Sequence, residues 1–103
     1  MKWYSSKVIE NHDRLSIPKG LMEKMEWKAG AALALYEDNK VFILEDVKSC
    51  VIKDCICVEI DSDGYIYLNE ATKQKLDWKY WHKIGFYFTD NKTIVLKQEQ
   101  TPF

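Results

Sequence analysis

The stretch Asp13-Arg14-Leu15-Ser16-Ile17-Pro18 leads into Met25-Glu26-Trp27-Lys28, then Leu33-Ala34-Leu35-Tyr36-Glu37, Asp38-Asn39-Lys40 and Val41-Phe42-Ile43-Leu44. The same succession returns further along the chain. Gly64-Tyr65-Ile66-Tyr67-Leu68-Asn69 precedes Leu76-Asp77-Trp78-Lys79, then Phe86-Tyr87-Phe88-Thr89, Asp90-Asn91-Lys92 and Thr93-Ile94-Val95-Leu96. A repeat of this length governs every element-level reading, because each copy must build the same unit. Trp27 and Trp78 stand 51 positions apart and Asp38 and Asp90 stand 52 apart, so the second copy carries one inserted residue between them.

Each copy reads as ββαββ. A strand (2–9; 55–60) passes through a polar turn (Asn11-His12-Asp13; Asp61-Ser62-Asp63-Gly64) into a short strand (14–17; 65–68). A helix of two to three turns follows. Pro18 suits its first position in copy one, where a missing N–H costs nothing and φ is already set. Asn69 can cap the second helix, with Glu70 near its positive end. Leu21 and Met25, like Thr72 and Leu76, are four apart and share a helix face. The Asp-Asn pair between alternating apolar runs then predicts a hairpin. One such unit of about 45 residues cannot bury its helix stripe and both hairpin faces alone. The expected fold is therefore a mostly β barrel with short α-helices, closed from two ββαββ repeats. Residues 1–46 form the first repeat and 47–103 the second, joined through 45–53 into a single compact domain.

The composition fits such a domain: 103 residues, 47% hydrophobic and 30% charged, are too apolar for disorder and enough for one core. The opening residues alternate apolar with Lys, Ser and Tyr, so neither a signal peptide nor a membrane span is expected, and the protein reads as cytoplasmic. Cys50, Cys55 and Cys57 lack C-x-x-C spacing and a neighbouring histidine, which disfavours zinc. Within 51–58 they read as small apolar residues rather than as disulfide partners. No paired carboxylates, phosphate loop or nucleophile–base set is present, so no enzyme and no cofactor is expected. A net charge of −1 means that any polyanion must be held by a local patch.

The run Arg14-Leu15-Ser16-Ile17-Pro18-Lys19, the helix end Met25-Glu26-Trp27-Lys28-Ala29-Gly30 and the hairpin around Asp38-Asn39-Lys40 resemble the AbrB/SpoVT swapped-hairpin family, which includes MazE-type antitoxins and two-copy MraZ proteins. The resemblance covers residues 2–45 and, more weakly, 55–97. It implies an interlocked barrel that binds DNA as a transcription factor, here as a homodimer on duplex DNA. Arg14, the one arginine in the chain, matches the family's DNA-contacting arginine, and Lys7 matches another commonly basic position. Lys19 at the helix start and Asn11 in the loop complete the DNA-binding set that the resemblance implies, with His12 beside Asn11. A guanidinium fork suits phosphate or a guanine edge in a way lysine cannot copy.

The second copy departs from this pattern. Tyr65 stands at the Arg14 position, Asn69 at the Pro18 position, and the loop is Asp61-Ser62-Asp63-Gly64, a poor neighbour for phosphate. Tyr65 and Tyr67 alternate and so share one strand face. With Tyr80 and Trp81 they form an alternative site, a patch for a protein partner on an antitoxin-like or phage-encoded module, because tyrosine and tryptophan give large contact area at small entropic cost. Trp27 and Trp78 read as core or rim packing rather than as base-stacking platforms.

Overall fold

A computed structural model of the chain describes residues 1–10, 13–38, 41–47, 55–70, 73–74, 82–89 and 93–99. The elements are β1 (Lys2–Val8), β2 (Arg14–Ser16), α1 (Lys19–Met25), β3 (Ala32–Asp38), β4 (Val41–Asp46), β5 (Ile56–Glu59), β6 (Tyr65–Tyr67), β7 (Lys83–Phe88) and β8 (Ile94–Glu99). The chain is thus mostly β, with one short helix among the described residues. Leu21 and Met25 make the buried stripe of α1, as their spacing predicts. Pro18 sits one place outside the helix at ψ 132°, its carbonyl accepting the Leu21 and Met22 N–H groups at 3.0 Å. Glu26 ends α1 in the left-handed region at φ 61°. Glu70, Lys73 and Gln74 are helical, and the Lys73 N–H donates to the Asn69 carbonyl at 2.9 Å. Thr72, Leu76, Trp78, Tyr80 and Trp81 lie outside the described residues, as do Asn11, His12 and residues 48–54.

The six-stranded antiparallel sheet runs β1-β7-β8-β4-β3-β5, and β2 and β6 form a separate antiparallel ribbon. The two halves interpenetrate. β1 lies on β7, with Ser6 opposite Gly85, Lys7 opposite Ile84 and Val8 opposite Lys83. β5 lies on β3, with Cys57 opposite Ala34, Val58 opposite Leu33 and Glu59 opposite Ala32. Each pair in one set maps onto a pair in the other by a shift of 51 positions. Two further pairings cross the halves about a centre of their own: Leu15 faces Ile66 between β2 and β6, and Ile43 faces Val95 between β4 and β8. The turns obey the same shift. The Ile17 N–H donates to the Gly64 carbonyl at 3.0 Å, and the Leu68 N–H to the Asp13 carbonyl at 2.8 Å.

The inserted residue can be placed by register. The 51-residue shift holds through Phe88, and β8 stands 52 positions from β4. Asp38 pairs Val41 across 39–40, whereas the Thr89 N–H donates to Thr93 across 90–92. The extra residue therefore lies in the second hairpin connection, and the counterpart of Asp38 is Thr89 rather than Asp90.

The expected closed barrel is not found. The hydrogen-bonded sheet is open, ending on β1 and β5, and the β2–β6 ribbon meets those ends by packing and by the backbone hydrogen bonds of Glu10 to Arg14 and of Asp61 to Tyr65. The ladder hydrogen bonds of β2 and β6 join these two strands to each other rather than to β1 and β5. Its inward residues Leu15 and Ile66 join Leu21, Met25, Trp27, Leu33, Leu35, Leu44, Ile84, Phe86 and Leu96 in one core. Ala34, Ile43 and Val95 are also buried, on the opposite sheet face, which explains the unbroken apolar runs of β4 and β8.

Cys55 is disulfide-bonded, whereas Cys57 is free and exposed. This corrects the reading of these cysteines as small apolar residues rather than disulfide partners: Cys55 precedes β5, which starts at Ile56, and is cross-linked, and Cys57 within β5 faces solvent. Among the described residues no group of His, Cys, Asp and Glu is placed to hold a metal, and no helix is long and apolar enough to cross a membrane.

Candidate nucleic-acid interface

The solvent face of the β2–β6 ribbon carries Arg14, Ser16, Tyr65 and Tyr67, because the alternate residues Leu15 and Ile66 point into the core. Arg14 lies opposite Tyr67 and diagonal to Tyr65, and its guanidinium carbon stands 4.6 Å from the centre of the Tyr65 ring. Its terminal nitrogen is 3.9 Å from Glu10, an open-surface pair worth under about 1 kcal/mol. Among the described residues no acceptor reaches the buried Nε. Stacking therefore orients this arginine more than hydrogen bonding does. The Tyr65 hydroxyl titrates above its ordinary value, first through a hydrogen bond to Glu10 and then through burial.

The acidic turn opposite is turned in on itself. Asp61 Oδ1 accepts the N–H groups of Asp63 at 2.8 Å and Tyr65 at 3.0 Å. The Tyr65 N–H is the main cause that holds this carboxyl below its ordinary value. Desolvation opposes it, and the Asp63 N–H, the Tyr67 hydroxyl and the Arg14 charge reinforce it. Asp61 is thus occupied by its own loop, and Asp63 is the acid of this turn that lines the neighbouring groove.

That groove, of about 400 Å³, brings together two of the four expected DNA-binding residues. Lys7 reaches it from β1 and Lys19 from the start of α1, with Ser16, Met22, Asp63 and Gly64 completing most of its wall. Arg14 is not part of the groove but lies on the same strand face as Ser16, two residues away. Asn11 falls outside the described residues. Of the tyrosines and tryptophan read as a protein-binding patch, Tyr67 is 52% exposed and Tyr65 is half-buried. Tyr80 and Trp81 fall outside the described residues.

Ser16 and the 62–64 turn are site residues that sequence reading missed. Their contribution depends on β2 pairing with β6, a contact made across 50 residues of chain. Trp27 is buried in the core, as read from its place at the helix end. Comparison with protein-family models, with curated proteins and with solved structures finds no match for this chain.

Proposed function

We propose that this protein is a DNA-binding transcriptional regulator of AbrB/SpoVT type, a swapped-hairpin fold made from two copies in one chain. The observation that carries this reading is the exchange of first strands: β1 of one half lies on the hairpin of the other, and β5 returns the exchange in the same register. Such an exchange is what the resemblance implies for paired ββαββ units. The DNA-contacting surface is the groove wall of Lys7 and Lys19 with the adjacent Arg14, and a cytoplasmic homodimer brings two such surfaces together.

With few cations per chain, binding is modest and salt-dependent. About two or three phosphates neutralised per chain give a slope of log K against log salt near −2 to −3. Fluorescence anisotropy with mixed-sequence duplexes from about 20 mM to 200 mM salt tests this. No binding at the lowest salt overturns the reading.

A second reading has its own observation. Arg14 is engaged by Tyr65 and Glu10, and Tyr67 stands exposed beside it, a combination suited to a protein partner. A partner whose capture fails with Tyr67→Ala and survives replacement of Lys7 and Lys19 favours this reading over DNA.

A further inference from the structure

The 51-residue shift that relates the two halves gives the groove a counterpart, and the two differ in a telling way. Gly64 lies over Met22 in the groove, where a Cβ on the glycine would stand 3.4 Å from the Met22 sulfur. The equivalent positions in the counterpart are Asp13 and Lys73. There the Lys73 ammonium meets Asp13 at 2.9 Å and Glu70 at 3.0 Å. Its pKa is raised, first by the hydrogen bond to Asp13 and next by that to Glu70. Ser16 is replaced by Tyr67, Lys7 by Val58 and Lys19 by Glu70.

An uncharged pair that includes a glycine thus lines the groove in one place, and an ion-paired aspartate and lysine stand at the same positions in the other. The described side chains of the groove carry a net positive charge, since Lys7 and Lys19 outnumber Asp63, and neither lysine lies in a salt bridge among the described residues. Those of the counterpart carry a net negative charge, since Asp13 and Glu70 outnumber Lys73.

We propose that the Lys7–Lys19 groove is a seat for a phosphoryl group, and that each chain has one such seat because its own side chains plug the counterpart. This rests on the DNA-binding reading, which it sharpens: the chain, though built from two similar halves, meets the nucleic-acid backbone with one of them. Two lysines and the Ser16 hydroxyl converge from β1, α1 and β2, and they offer donors to a tetrahedral anion that enters from the open side. A duplex phosphate and a free phosphate share this chemistry, so the test separates them.

The test uses the full chain in three forms: native, Lys7→Ala/Lys19→Ala, and Asp13→Gly/Glu70→Lys/Lys73→Met, which restores the groove's own glycine–methionine pair and its basic charge in the counterpart. A matched thermal midpoint establishes that each is folded. If the midpoint of the double alanine form falls, Lys19→Gln, at an exposed position, replaces it. Each is titrated with a mixed-sequence duplex at low salt and, separately, with pyrophosphate followed by amide chemical shifts.

The expected result is at least a tenfold loss of duplex affinity in the double alanine form, with a salt slope shallower by about 2. Pyrophosphate should shift the amides of 16–19 and 62–64 in the native protein and leave them unmoved in that form. The restored form should bind duplex more tightly, with a steeper slope. Native-like duplex binding by the double alanine form overturns the seat and leaves DNA binding standing on Arg14 and its neighbours. Pyrophosphate binding without duplex binding keeps the seat and overturns the DNA reading. Loss of both overturns both, and an unchanged restored form overturns the plugging of the counterpart.

Discussion

Gly64 and Asp13 hold the same turn in the two halves, at φ 84° and φ 58°, and the left-handed region treats them differently. Aspartate enters it at modest cost because its short polar side chain suits such turns, whereas alanine gains nothing to offset the Cβ penalty. Gly64→Ala is expected to destabilise the fold by about 1–2 kcal/mol, aggravated by the approach to Met22, and chemical denaturation reads it directly. An unchanged midpoint would mean that the turn can relax. Beside it, Asp61 makes stability depend on acid. Its folded pKa lies below the unfolded value, so its contribution is present above the unfolded value near 3.8 and fades as pH falls through the folded one. Asp61→Ala should flatten the pH dependence of unfolding below about pH 4 and leave the neutral-to-alkaline limb alone. If wild type and variant lose stability in parallel on acidification, the loop hydrogen bonds do not hold that charge. At this scale the sequence singled out Arg14 as the lone arginine but could not show its stacking on Tyr65. Tyr65 occupies the same place in the repeat, and antiparallel pairing about Leu15 and Ile66 turns equivalent residues into diagonal neighbours.

β1 is an edge strand, and its outer half is tethered by one carboxylate. Glu99 on β8 accepts the Trp3 indole N–H at 3.1 Å and the Ser6 hydroxyl at 2.5 Å, reaching across β7 to do so. Gly85 makes the crossing possible, since a Cβ there would stand 2.5 Å from Glu99 Oε1. The equivalent position in β3 is Ala34, and Val47 takes the place of Glu99 in the repeat. Gly85→Ala should therefore cost about 1–3 kcal/mol, the usual scale of overpacking, despite removing a glycine from a strand. Hydrogen exchange should show the β1 amides losing protection first. With Glu99→Ala already made, Gly85→Ala should cost far less, a coupling that a double-mutant cycle measures; simple additivity would refute the tether. Strands and hairpins were legible because each is half-buried and alternates, or is buried on both faces and runs unbroken. The sequence places the inserted residue between Trp78 and Asp90, and the register moves it beyond Thr89. Asp-Asn-Lys recurs in both turns and invites an alignment that the Phe88–Ile94 pairing overrides.

Across the whole molecule, neither half owns a complete sheet. The core residues of β3 and β4 are flanked on one side by β5 and on the other by β8, both from the second half, and β1 is paired only with β7. The repeat was legible because it is written in the sequence, and so was the need for two units to cover each other's apolar faces. Which strand covers which was not, since that choice is made by contacts between residues 21 to 86 positions apart, and periodicity along the chain carries no information at that range. The interpenetration has a direct consequence for cleavage. Residues 1–47 alone keep the β3–β4 hairpin but lose the partners of β1, β2 and β4, and a two-stranded hairpin is marginal in water. The fragment 1–47 is therefore expected to be unfolded as a monomer, and 48–103 likewise, each giving weak far-ultraviolet dichroism and unprotected amides. Mixed in equal amounts, the two should regain the native spectrum, with a midpoint that rises with concentration as mass action requires. At high concentration 1–47 alone should also gain structure as a homodimer, because β1 of one copy can lie on β3 of another in the register that β5 uses, placing Lys7 opposite Leu33. That substitution puts a lysine where Val58 is buried, so the homodimer should be much weaker than the mixed complex. A fragment that folds cooperatively as a monomer would refute the mutual dependence of the halves.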